Sequence, residues 1–201
     1  MTGVQTCALP ICQEYLLVSA SLQDILHRHR RQYNDWASLP EHAAIQLNDT
    51  HPALAVAEMM RLLIDHEMLS WEEAWDITVN TFAYTNHTVM PEAMETWRTR
   101  LLGTLLPRHL EIIYEINRRF LDEVAKKDGG DPSRLARMSI VDGGHEPKIR
   151  MAHLAIVGSH SVNGVSELHT EIIKARGLKH NYEAYPAHFN NKTNGEPPRS
   201  K

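Results

Sequence analysis

Two stretches built to one plan constrain this chain more than anything else in it. In residues 43–52, AAIQLNDTHP, apolar and alternating residues run into a polar tip of Asn48, Asp49, Thr50 and His51, and Pro52 follows. Residues 81–97, TFAYTNHTVMPEAMETW, repeat the plan: an apolar run, a polar tip of Asn86, His87 and Thr88, then Pro91. Proline is favoured at the first position of a helix, where its missing N–H leaves no bond unmade. Each stretch therefore reads as strand, loop and helix, with polar groups gathered on the loop. Open α/β sheets bind ligands at the carboxyl ends of their strands, where such loops lie. Spacing alone equally allows Asp49 or Thr50 to cap a helix over 52–65.

The rest of the chain bounds the class. Its 201 residues suffice for one domain with a sizeable core, or for part of a larger one. A hydrophobic content of 42% and a net charge of −4 point to neither nucleic acid nor another polyanion as partner. No apolar run approaches the roughly 18 residues of a membrane span. The two cysteines, Cys7 and Cys12, fall in the first twelve residues and make no disulfide framework, which suits a reducing cytoplasm. Those residues, MTGVQTCALPIC, lack the basic start of a signal peptide and read as a non-native leader outside the fold. No second cysteine pair completes a four-ligand metal site with them.

Periodicity then orders the chain. Residues 13–32 are helical, with Leu16, Leu17, Ala20, Leu22, Ile25 and Leu26 as an apolar stripe, ending in HRHRR. Cations in a last helical turn complement the helix dipole. Residues 43–48 read as a buried parallel strand. The helix from Pro52 carries Leu54, Met59, Leu62 and Leu63 inward. Ser70 and Glu73 form a capping box ahead of a helix from Trp71. Residues 78–84 fit a strand or a helix end, and 91–97 a short helix. The longest helix, 105–127, is opened by Pro107, with Leu110, Ile113, Ile116, Phe120 and Val124 facing the core. Asp128-Gly-Gly is a turn, 139–141 and 148–150 suit a hairpin, and 181–201 read mostly as loop. Alternating strands and helices argue for an α/β sheet with helices on its faces.

Both loop tips, together with FNNKTNGEPPR at 189–199, resemble the α-glucan phosphorylases (glycogen, starch and maltodextrin phosphorylase). The runs QEYLLVSASLQDI, LLPRHLEIIYEINRRFL, MAHLAIVGSHSVNGVSELHTEI and NNKTNG match in the same order, so the resemblance covers Gln13 to about Gly195. It implies a two-domain glycosyltransferase fold of the GT-B type. Residues 13–189 would be the later part of its first Rossmann-like domain, and 190–201 the start of the crossover to a second. It resolves 151–157 as a helix, with a strand near 161–162 and a helix over 166–174. It implies phosphorolysis: orthophosphate cleaves the terminal α-1,4-linked glucose of a glucan to glucose 1-phosphate. Pyridoxal phosphate is the implied cofactor, its phosphate relaying a proton, with the Schiff-base lysine in a C-terminal domain outside this chain. This chain alone is then expected to be inactive and to expose apolar surface. A cytoplasmic homodimer is implied for the full-length protein.

By the same resemblance, His87 contacts the sugar at the cleavage point through its ring and its backbone carbonyl. Asn194, in KTNG, hydrogen-bonds the same glucose. Asp49 and His51 face the glucan acceptor. After Gly195 the family continues I-T-P-R-R-W, whereas this chain has Glu196, Pro197, Pro198, Arg199, Ser200 and Lys201. The arginine pair of the family's nucleotide effector site is matched by His27 and Arg28, although His29, Arg30 and Arg31 remain able to bind phosphate. Retaining glycosidases need two close carboxylates; these enzymes do not, so Glu92 and Glu95 are not nominated. Two readings of other classes stand beside this one. One is a metal site from Asp49, His51, His87 and His153 or His160, at no recognised spacing. The other is a non-catalytic sugar- or partner-binding α/β fragment.

Overall fold

The computed structural model describes residues 2–88, 90 and 94–195. Four parallel strands form the central sheet: β1 (Ile45–Asn48), β2 (Phe82–Thr85), β6 (Ser161–Gly164) and β7 (Phe189–Asn191), in the order β1-β2-β6-β7. A smaller antiparallel sheet joins β3 (Thr96–Arg98), β5 (Lys148–Arg150) and β4 (Val141–Asp142) in the order β3-β5-β4. The architecture is mixed α/β with a parallel sheet. Leu47, Phe82, Tyr84 and Val162 bury the sheet's faces under its helices.

Helix α1 (Thr2–Gln32) opens the chain and takes in the stretch expected to lie outside the fold. Ile11, within that stretch, is fully buried. The buried face of α1 is Ile11, Val18, Leu22, Leu26 and His29, a seven-residue rhythm. Leu16 and Leu17, expected inward, are 67% and 70% exposed instead. In the basic run, Arg28 pairs with Asp24 and Arg30 with Glu67, while His29 stacks on Tyr33 and Trp36.

After the single turn of α2 (Leu39–His42), the helix expected from Pro52 begins later, as α3 (Ala55–Arg61), and closes in a wider turn over Leu62–His66. Leu54, Met59, Leu62 and Leu63 are buried as the period requires. Its N-cap is Leu54, with no side-chain cap, so neither Asp49 nor Thr50 serves it. Asp49 instead turns its Oδ1 onto the N–H of Thr50 at 2.7 Å. The capping box of Ser70 and Glu73 is formed at the start of α4 (Trp71–Thr81). That helix runs straight into β2, which resolves the ambiguity at 78–84.

Trp97 belongs to β3 rather than to a helix over 91–97, because the ladder Thr96–Arg150, Trp97–Ile149 and Arg98–Lys148 claims the backbone there. Residues 91–93, with Glu92, lie outside the described residues. Leu105 ends a separate helix, α5 (Thr99–Leu105), and α6 (Pro107–Asp128) starts after a break at Leu106. Ile113, Ile116, Phe120 and Val124 on α6 are buried and Leu110 is half-buried; Gly129 closes the helix in the left-handed region at φ 76°, and α7 (Pro132–Met138) follows. The hairpin of β4 and β5 is present. So are α8 (Met151–Val157), β6 and α9 (Glu167–Ile172), the last capped by Ser166. Strand β1 is an outer strand of the described sheet and buries only Leu47, so it is half-exposed rather than buried. The segment expected as loop contains α10 (Lys179–Ala184) and β7.

One ionic cluster fastens three of these helices. Glu58 of α3 is fully buried and accepts hydrogen bonds from Ser19 of α1 at 2.6 Å and His109 of α6 at 2.6 Å. Arg61 closes the cluster with two more bonds to the same carboxylate, at 2.7 and 2.9 Å. Burial alone would raise the Glu58 pKa, but these donors outweigh it and hold it down at about 2.

Candidate functional site

All four parallel strands deliver polar residues to one edge, the carboxyl edge of the sheet. The register sets Asn48 beside Thr85, Thr85 beside Asn163, and Gly164 beside Asn191. Both sequence tips therefore arrive together. Residues 49–51 leave β1 and 86–88 leave β2. The loop after β7 comes back to the same edge, where the Asn194 N–H donates to the Val165 carbonyl at 3.0 Å. The chain thus brings Asp49, His87 and Asn194 to one rim. A row of side chains locks the strand ends in step. Gln46 donates to Thr85 Oγ1 at 2.7 Å, and Thr85 donates to Asn163 Oδ1 at 2.9 Å.

Asn86 anchors the tip of the second loop. It is fully buried, and its backbone N–H donates to the Asn163 carbonyl at 2.9 Å. Its Nδ2 donates to the Tyr84 hydroxyl at 3.0 Å, and its Oδ1 accepts from the Thr88 N–H at 3.1 Å and from His169 Nε2 at 3.1 Å. An amide suits this post because it can donate and accept at once. His169 sits on α9, and burial, then the nearby His87, lowers its pKa. With the backbone on either side fixed, His87 projects outward, exposed, and its Nε2 meets Asn48 Oδ1 at 2.5 Å.

Gly164 explains how α9 gets so close. A Cβ there would lie 2.5 Å from Thr170 Oγ1 and 3.0 Å from the Thr170 Cα, so only glycine permits the contact. Asp49 holds φ at 64°, the left-handed region that asparagine and aspartate tolerate best.

His51 stands on the far side of the first loop. Its Nδ1 lies 3.7 Å from Glu14 of α1, and its ligating atom lies within 4.8 Å of carboxylate oxygens of both Glu14 and Glu95. Among the described residues, this trio is the grouping able to hold a metal ion. Glu14, however, is pushed up from an ordinary 4.5 to about 8, by burial first and then by the charge and hydrogen bond of Glu95. A carboxyl that keeps its proton competes with a cation for its own oxygen. The proposed metal quartet is not assembled. His153 is half-buried on α8 with its Nδ1 against the Met138 carbonyl, and His160 meets the Val79 carbonyl directly before β6, at the amino end of that strand.

The Glu14 shift predicts a pH dependence. A folded-state pKa above the unfolded one favours folding fully below pH 4.5 and loses that contribution as pH rises through about 8. The unfolding midpoint of the chain should therefore fall across pH 4.5–8, and Glu14→Gln should flatten that slope. An unchanged slope in the variant would refute the raised Glu14 pKa.

Sequence reasoning named Asn48 and Asn86 as loop polar groups but assigned them no role, and it passed over His169 and Asn163. A hint lay in the adjacency of Asn86 and His87 in TNHTV. For His169, nothing in the local sequence points across to residue 86. An open groove of about 800 Å³ beside Trp71, Trp75, Arg119 and Tyr185 lies on residues preceding the strands, away from the carboxyl-edge loops.

A family model described as carbohydrate phosphorylase matches residues 4–200. The chain is 53% identical over 199 residues to the muscle form of glycogen phosphorylase from Ovis aries, and equally so to that from Homo sapiens. Each match covers 95% of this chain and 24% of the relative. It is 52% identical over 196 residues to glycogen phosphorylase from Synechocystis sp., covering 98% of this chain and 23% of that protein. The chain thus spans about a quarter of the length of the curated relatives it matches. Among the described residues, no helix is long and apolar enough to cross a membrane.

Proposed function

Because the chain belongs to the carbohydrate phosphorylase family, we propose that its carboxyl edge is one wall of a glucan phosphorylase active site. The observation that carries this reading is the anchored tip at Asn86, which presents His87 outward between Asn48 and His169. In the proposed reaction the bond between the sugar's C1 and the glucan oxygen breaks. A bond from C1 to a phosphate oxygen forms, and a proton passes to the departing glucan oxygen. The products are glucose 1-phosphate and a glucan one unit shorter.

This chain's residues bind and orient the sugar. The His87 carbonyl faces the sugar carbon, where positive charge develops as the bond breaks, and opposes it with a fixed dipole. The His87 ring and the Asn194 amide hold hydroxyls of the same glucose. Asp49 and His51 hold the remaining glucan. Asp49→Ala in the full-length enzyme should raise KM for the oligosaccharide more than it lowers kcat. The assay follows glucose 1-phosphate released from maltooligosaccharide and orthophosphate, and the reverse split would remove Asp49 from the acceptor side. If glucan binds and no glucose 1-phosphate forms, the non-catalytic sugar-binding reading takes its place.

Full-length members of this family use pyridoxal phosphate, whose phosphate supplies a proton relay when bound. We assign the cofactor lysine to a second domain, so no step here runs through it. On this reading residues 13–189 belong to the first Rossmann-like domain of a GT-B pair and 190–201 begin the crossover. The whole enzyme would work as a homodimer in the cytoplasm on an α-1,4-glucan.

A further inference from the structure

We propose that Asn48 is a positioning residue for His87: it fixes the imidazole as the Nε2–H tautomer and so leaves Nδ1 as a bare acceptor for a sugar hydroxyl. The proposal rests on the reading of His87 as a sugar-binding residue, and deepens it.

The contact is between Asn48 Oδ1 and His87 Nε2, at 2.5 Å. An amide oxygen only accepts, so the proton must sit on Nε2. A neutral imidazole with that proton has an unprotonated Nδ1, and the partner of one ring nitrogen thereby decides what the other can do. A hydroxyl can then donate to Nδ1. Without Asn48, the ring could present N–H or lone pair at either nitrogen, and could swing about its side-chain torsions.

Two further observations assign the ring's orientation to Asn48. First, the backbone at the tip is already held by the Asn86 bonds to Asn163, Tyr84 and Thr88, which leaves the ring as the part still free to turn. Second, Asn48 is exposed and ends β1, and among the described residues its side chain makes no other hydrogen bond. Its position comes from the sheet rather than from a loop. Asn48 is paired with Thr85, two residues before His87, and the Gln46–Thr85–Asn163 row pins that register. An exposed side chain with one partner contributes little to folding, so its role shows in what that partner does.

The test has a spectroscopic and a kinetic arm. In the 201-residue chain, the ¹⁵N shifts of His87 should report a protonated Nε2 and a bare Nδ1. In Asn48→Leu the two shifts should move toward each other as tautomers mix. A protonated Nδ1 in the unaltered protein, or no change in Asn48→Leu, overturns the proposal. In the full-length enzyme, Asn48→Ala should lower kcat/KM for phosphorolysis by about tenfold, the scale of one hydrogen bond, mostly in kcat and without changing the melting temperature. Added to His87→Ala, it should cost nothing more. A wild-type kcat/KM in Asn48→Ala, or an additive loss in the double variant, overturns it as well. If His87→Ala alone leaves the rate intact, the active-site reading itself fails, and with it this proposal. If His87→Ala is slow and Asn48→Ala is not, only the role of Asn48 is lost.

Discussion

Replacing His87 by alanine in the full-length enzyme lowers its turnover by about a hundredfold or more, the usual consequence of deleting one preorganised polar group at a reacting centre. The backbone argues that the loss is specific to the ring. The tip is held by Asn86, through the Asn163 carbonyl, the Tyr84 hydroxyl, the Thr88 N–H and His169, and none of these bonds involves the His87 ring. Alanine therefore keeps the carbonyl in place and removes only the imidazole. The ring is exposed, so folding should not suffer. The check is kcat for glucose 1-phosphate formation beside an unchanged melting temperature. A change under about threefold would refute the assignment of His87. The loss should exceed that from Asn48→Ala, because a misaligned ring still reaches the sugar some of the time and an absent one never does.

What the sequence disclosed depended on distance along the chain. The tips at 48–51 and 86–88 were legible because the polar residues follow an apolar run and a proline comes within three residues of each tip's end. The capping box at Ser70 and the α6 stripe were legible because both are local patterns of three or four residues. Pairing partners far apart were not. His169 reaches Asn86 across 83 positions, and Asn163 reaches Thr85 across 78. Strand β7 is three residues, FNN, with one buried side chain, too short to carry a period. Trp97 looked helical until a ladder partner 52 positions on, at Ile149, claimed it. The stripe on α1 held at Leu22 and Leu26, which are buried, and failed at Leu16 and Leu17, because only one face of the helix packs inward and that face also carries Ile11 and Val18. Glu58 was invisible as a core residue, since nothing local announces that a glutamate will be buried.

Glu58→Ala should destabilise the chain by about 3–5 kcal/mol, the range for removing one partner of a buried ion pair. The carboxylate is fully buried and takes four hydrogen bonds, from Ser19, His109 and two nitrogens of Arg61. Alanine leaves the Arg61 guanidinium, its side chain only 17% exposed, without its counter-charge, and His109, at 3%, without its acceptor. It also unties α1, α3 and α6, the helices those donors come from. A loss of that size is a third or more of the stability of many domains, so the denaturant midpoint should drop steeply with the slope unchanged. The pH dependence supplies an independent sign. The folded pKa of Glu58 is about 2, below its unfolded value of 4.5, so its contribution is present above pH 4.5 and lost as pH falls toward 2. The difference in stability between the native chain and Glu58→Ala should therefore shrink on acidification through that window. A loss under about 1 kcal/mol at neutral pH, or a difference that stays constant down to pH 2, would mean that the cluster is not what joins the three helices.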